Sequence, residues 1–170
     1  WYEVADEATS LTTTDRGFLV GRLWHGGKVD PWIGHLAAGE YFKDLAYERR
    51  GSRFASETTE AQWQGMKEAS VMANQHLLRA WQLAPDRPEA ATIMISLAMS
   101  GHADVGSDDD WFYEAARGQT DWSPAFYYYL NAILPRWGGS YPKMLALGTQ
   151  CIHSQRYDTA VPGYIVPIIQ

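Results

Sequence analysis

The stretch from Trp63 to Pro85 leaves this chain the least freedom. Trp63, Met66, Ala69, Ala73, Leu77, Ala80 and Ala84 recur every three or four residues, a single apolar stripe of helical period. Pro85 marks the exit, since proline has no N–H to continue a helix and disfavours helical backbone in the residue before it. A long helix with one apolar side must lie against other elements. The rest of the chain reads as helices that bury that side.

Upstream, residues 1–13 carry little pattern and are expected to form an arm or partial helix. Thr14 or Asp15 can cap a short helix through Trp24, with Phe18, Leu19 and Leu23 on its apolar side. His25-Gly26-Gly27 ends it, because glycine accepts the left-handed conformation of a helix terminus. Asp30-Pro31 starts the next helix, with proline in the first turn, where its missing N–H is not needed. Trp32, Ile33, Leu36, Ala37, Tyr41, Leu45 and Ala46 give it a stripe to about Arg50. Gly51 to Thr59 is a polar turn, and its two flanking helices are expected to pack as an antiparallel hairpin.

Downstream, Asp86-Arg87-Pro88 opens a helix over 89–100 with Ala91, Met94, Ile95, Ala98 and Met99 buried, and Gly101 ends it. Ser107 and three aspartates set negative charge at the start of a helix over 111–118, where the helix dipole favours it. Ser123-Pro124 starts a helix over 125–134, which Pro135 to Gly139 stops. A helix over 141–154 follows, with Met144, Leu147, Gly148 and Cys151 on one stripe. A last, weaker helix begins near Thr159, with Pro162 in its first turn and Pro167 distorting it.

With 170 residues the chain is large enough for a real core, and 14% aromatic content, including eight Trp and ten Tyr, excludes a disordered segment. Twenty acidic against 14 basic residues give a net charge of -6, which disfavours nucleic acid and anionic membrane surfaces as partners. No apolar run approaches the roughly 18 residues of a membrane span. A single cysteine, Cys151, excludes an internal disulfide framework or a Cys-x-x-Cys site. The start at Trp1 and the end inside an apolar run, Tyr164 to Gln170, are expected of a piece of a longer protein; the compartment stays open.

Ala73-x3-Leu77-x2-Ala80-x4-Pro85 resembles the second helix of a tetratricopeptide repeat, whose small residues admit a close neighbour. Ala80 and Ala115 lie 35 residues apart in successive second helices, and Ala91 and Phe126 lie 35 apart in first helices. The tetratricopeptide period is about 34. Three further patches resemble one bacterial family of tetratricopeptide-like proteins without assigned function. They are Gly39-Glu40-Tyr41 through Arg49-Arg50-Gly51 with Glu60 to Trp63; Leu78 to Pro85 with Ala90 to Ile95; and Pro135-Arg136-Trp137-Gly138-Gly139-Ser140 with Met144. The resemblance covers roughly 35–155, implies stacked helical hairpins, and supplies no catalytic residues. The expected organisation is an arm and short helix over 1–30 and an all-α, tetratricopeptide-like stack over 31–170, about seven helices in all.

Possible chemical sites have plainer readings. Pro135 to Ser140 offers a stacking ring, a guanidinium and exposed N–H groups, but reads better as a helix stop, a buried Trp137 pinning the turn, and a Ser140 cap. Asp104 with Asp108 to Asp110 lacks the alternation of a calcium loop. His25, His35, His76, His102 and His153 are scattered, with no His-x3-His, so no metal is expected. Asp110 and Glu114 beside Trp111 and Tyr113 are the carboxylates a sugar-cleaving site would use, against a plainer reading as helix surface and core.

Tyr127-Tyr128-Tyr129 cannot all be buried on one helix, because successive residues are rotated by about 100°. Aligning the repeats puts Glu89, Thr92 and Ser96 on one inner surface with Tyr127 and Asn131. With Tyr128 and Trp137, these residues form the expected partner-binding surface. The function expected is a non-catalytic interaction or scaffold module for a protein partner, without cofactor. A subunit built permanently into a larger bacterial assembly, and a helical carbohydrate-active enzyme, are the alternatives.

Overall fold

The computed structural model describes residues 12–25, 27, 29–101 and 104–169, without the side chains of 23–25. Expectations for residues 1–11, for the Leu23 and Trp24 side chains, for Gly26 and for His102 lie outside the described residues. Among the described residues the protein is all-α, with eight α-helices and no strand. None of those helices is long and apolar enough to cross a membrane. The chain divides into two compact units, one closing at Ala84 and the other opening at Pro85.

The first unit holds α1 (Thr13–His25), α2 (Pro31–Arg50) and α3 (Glu60–Leu83). The α1 cap is Thr12 rather than Thr14 or Asp15. Its hydroxyl accepts from the Asp15 N–H at 3.1 Å and its own N–H donates to the Asp15 carboxylate at 3.1 Å. Asp15 completes that reciprocal pair from inside the first turn, which fixes the start one turn earlier. Phe18 and Leu19 do not lie on a buried face: Phe18 is 67% exposed and Leu19 also faces solvent. Among the described side chains, contact with α2 includes the Arg16–Asp44 ion pair and the approach of Gly17 to the Tyr41 ring.

Asp30 caps α2, its carboxylate accepting from the Trp32 N–H at 2.8 Å, with Pro31 in the first turn. The buried side of this helix is Gly34, Ala38, Gly39, Lys43 and Ala46, rather than the large apolar residues; Ile33 is exposed. The reason lies in α3, which buries Met66, Ala69, Ala73, Leu77 and Ala80 of its stripe together with Ser70, while Trp63 and Ala84 are half-buried. Two helices whose facing residues are small can approach closely, and then only small residues fit between them. A Cβ on Gly39 would fall 2.5 Å from Leu77 Cγ. Gly39 faces Leu77, Ala46 clusters with Met66 and Ala69, and Gln62 Nε2 donates to the Arg50 carbonyl, so position rises on α2 as it falls on α3. The hairpin is antiparallel. Thr59 and Gln62 form a capping box that starts α3 after the Gly51–Thr59 turn.

The second unit holds α4 (Pro88–Ser100), α5 (Asp108–Gly118), α6 (Ser123–Ala132), α7 (Tyr141–His153) and α8 (Val166–Ile169). Every residue of α4 from Ala90 to Leu97 is buried, more than the expected stripe, while Ala98 and Met99 are half-buried. It packs against α5 and α6. Helix α5 starts at Asp108 because Ser107 is its cap, accepting from the Asp110 N–H at 3.1 Å, so the aspartates occupy the first turn. Its buried residues Trp111, Phe112 and Ala115 meet α6 through Phe112, which stacks on Tyr129 and meets Phe126 edge-on. Helix α6 ends at Ala132, short of Leu134, since the residue before Pro135 is drawn to extended backbone. Met144, Leu147, Gly148 and Cys151 are the buried stripe of α7, as expected. Ile165, from the 3-10 turn Val161–Ile165, lies against Gly148, and the chain then enters α8 with Pro167 in its first turn.

Candidate functional site

The Pro135–Ser140 segment is built by its backbone. Pro135 to Trp137 form a 3-10 turn, and Gly138 follows at φ +94°, a conformation that side chains resist. Gly139 presses on the Ile133 carbonyl, where any Cβ would overlap it. Ser140 then caps α7, accepting from the Lys143 N–H at 3.2 Å. The turn is therefore structural, but its tryptophan is not the buried pin: Trp137 is 52% exposed. Its ring lies 5.6 Å from the Arg136 guanidinium, which also reaches Asn131 Oδ1 at 3.5 Å. The backbone closes the turn without help from a buried ring, which frees Trp137 for solvent.

The three tyrosines divide by helix geometry. Tyr129 is buried, Tyr128 half-buried, and Tyr127 72% exposed. Tyr127 and Asn131, one turn apart, line an apolar groove of about 340 Å³ with Leu130, Leu134, Met144 and Tyr164. Tyr128 meets Tyr127 edge-on at 5.9 Å, and Arg136 links Asn131 to Trp137. Two of the expected binding residues, Tyr127 and Asn131, thus line the groove, and Tyr128 and Trp137 neighbour them without lining it. The three on α4 stand differently. Thr92 and Ser96 are buried, the Thr92 hydroxyl donating to its own helix at the Pro88 carbonyl, and Glu89 is half-buried with one carboxylate oxygen enclosed.

A second cavity, of about 200 Å³, is lined by Asp109, Phe112, Tyr113, Tyr129, Lys143 and Gln150, among others. Tyr129 donates to the Asp109 carboxylate, and Lys143 reaches Asp109 at 2.7 Å and Asp108 at 3.6 Å. Burial, then the Asp109 hydrogen bond and charge, push the Tyr129 phenol far above its ordinary value. Burial works against the Asp109 charge, but hydrogen bonds from Lys143 and Tyr129, with the lysine's charge, hold it below the usual carboxylate range. Asp109 is thus an ion-pair anchor between α5, α6 and α7, with the proton on Tyr129 and not on the carboxylate. The other two carboxylates are engaged locally: Asp110 accepts from the Ser107 hydroxyl at 2.7 Å, and Glu114 pairs with Arg117.

One juxtaposition is invisible in the sequence. His35 on α2 and His76 on α3 stand with their Nδ1 atoms 3.1 Å apart, and Phe42 stacks on His76. Burial, and then the Arg79 charge for His35 and His35 itself for His76, lower both imidazoles below their ordinary value. The only signal that could have found the pair is the antiparallel register of the hairpin. Among the described residues no three His, Cys, Asp or Glu side chains gather as a metal-binding group. Cys151 is buried, which pushes its thiol up and away from the reactive thiolate. No family model, curated protein or solved structure matches this chain.

Proposed function

We propose that the protein is a non-catalytic interaction module that takes an extended segment of a protein partner at the α6–α7 groove. The observation that carries this reading is the exposed Tyr127 ring on the rim of an apolar groove that its own unit leaves open. Exposed aromatic rings beside an apolar recess are what binding anchors use, because they bury much area while losing little side-chain freedom. Asn131 offers an amide to the partner's backbone, and the exposed Arg136 favours an acidic residue next to the apolar anchor. The helix pairs α2–α3 and α4–α5, each packed helix against helix, are read as tetratricopeptide-like hairpins. In support, all four positions of the 35-residue spacing, Ala80, Ala115, Ala91 and Phe126, are buried.

The test is a peptide array of eight- to twelve-residue segments, with the hits mapped by amide chemical shifts on labelled protein. The reading expects hits with an apolar or aromatic anchor beside Asp or Glu, and shifts centred on Tyr127, Asn131 and Arg136. Hits that shift only residues away from α6 and α7, or an array without hits, would overturn it.

A further inference from the structure

We propose that His35 and His76 form a two-imidazole site for a late first-row transition-metal dication, copper(II) or zinc(II), clipping α2 to α3. Two imidazole nitrogens bound at 2.0–2.1 Å to one metal lie about 2.9 Å apart at a right angle and about 3.3 Å apart at a tetrahedral angle. The Nδ1 atoms of His35 and His76 are 3.1 Å apart, with ring centroids at 5.2 Å and an interplanar angle of 41°. The rings come from two helices fixed by close packing, so the pair is held before any ion arrives. Phe42 stacks on His76 at 5.6 Å, which restrains that ring. Both histidines are half-buried.

Without metal, one Nδ1–H donates to the other Nδ1. Metal binding replaces that hydrogen bond. The donor ring moves its proton to Nε2, both Nδ1 lone pairs go to the metal, and no electrons are transferred. Water fills the remaining positions. The Arg79 charge near His35 opposes any cation, and two protein ligands are fewer than a dedicated site carries. Both facts set the expected affinity at micromolar rather than nanomolar, with copper(II) ahead of zinc(II).

The experiment is titration of the whole chain with copper(II) chloride and with zinc chloride, followed by calorimetry and by nitrogen-15 shifts of the histidine rings. The expected result is one copper(II) bound per chain. With diamagnetic zinc(II), the His35 and His76 Nδ1 resonances shift together. H35N and H76N should each weaken copper(II) at least tenfold, while H153N changes it less than twofold. Circular dichroism identifies folded variants, and the wild-type ring shifts decide the matter if a variant does not fold. Binding unaffected by H35N and H76N, no binding below millimolar metal, or ring shifts at other histidines only, would each overturn the proposal.

Discussion

Replacing Gly39 by alanine tests the closeness of the α2–α3 contact through the sign of its effect. Inside a helix, glycine-to-alanine gains about 1 kcal/mol from backbone propensity alone. Here the new methyl would stand 2.5 Å from Leu77 Cγ and 3.2 Å from the Leu77 nitrogen, and Leu77 has no exposed surface to retreat into. Overpacking of this kind costs about 1–3 kcal/mol, and enclosure on both sides places this site at the upper end. The net expectation is a loss of about 1–2 kcal/mol. Leu77→Ala alone should cost about 3–5 kcal/mol, as deletion of a fully buried leucine does. In that background the clashing carbons are gone, and Gly39→Ala should recover up to about 1 kcal/mol. The double-mutant cycle therefore carries a coupling of about 2 kcal/mol or more, with a reversed sign for the Gly39 change. Scanning calorimetry of all four proteins reads it, with transitions fitted separately if the two units melt apart. A stabilising Gly39→Ala in the wild-type background, or strict additivity, would refute the close packing.

Three further outcomes follow from the same geometry. Gly139→Ala should cost about 3 kcal/mol or more through overlap with the Ile133 carbonyl, whereas Trp137→Ala should stay within about 0.5 kcal/mol; urea unfolding of each variant checks the contrast. Asp109 has its carboxyl lowered in the folded state, so the unfolded chain takes up its proton first as pH falls. The Asp109 contribution is present above its ordinary value of 3.8 and is lost as pH drops through the folded value. Asp109→Asn should remove that part of the acid sensitivity in unfolding experiments between pH 7 and pH 3. Ala80→Asp places a charge where no surface is exposed, and should cost about 4 kcal/mol or more, seen as loss of the far-ultraviolet helical signal.

Periodicity and caps carried much of the fold. The α3 and α7 stripes, the Asp30-Pro31 start and the Thr59 entry to α3 all follow from local chemistry, which sequence displays directly. The face of α2 did not, because periodicity weights large apolar residues while a close helix crossing selects small ones. Gly39 therefore stands against Leu77 and Ala46 beside Met66 and Ala69, while Ile33 is left outside. On α1 the apolar pattern marks Phe18 and Leu19, yet both are exposed, while Arg16 and Gly17 reach Asp44 and Tyr41 of α2. At the candidate site, the tyrosine run foretold an exposed ring but not which one. The Trp137 exposure depends on Gly138 and Gly139 closing the turn by backbone alone. Contacts such as His35–His76 and Asp109–Lys143 join distant parts of the chain and leave no local pattern to read.

The most direct test of the interaction reading is site-specific photo-crosslinking in the cells that make the protein. A benzoylphenylalanine at position 127 and one at position 137 sit by the groove, and one at position 117 serves as a control on the exposed end of α5. The account predicts that positions 127 and 137 capture the same protein, at a segment pairing an apolar anchor with an acidic residue, and that position 117 does not. Equal capture from all three positions, or none from 127 and 137, would contradict it.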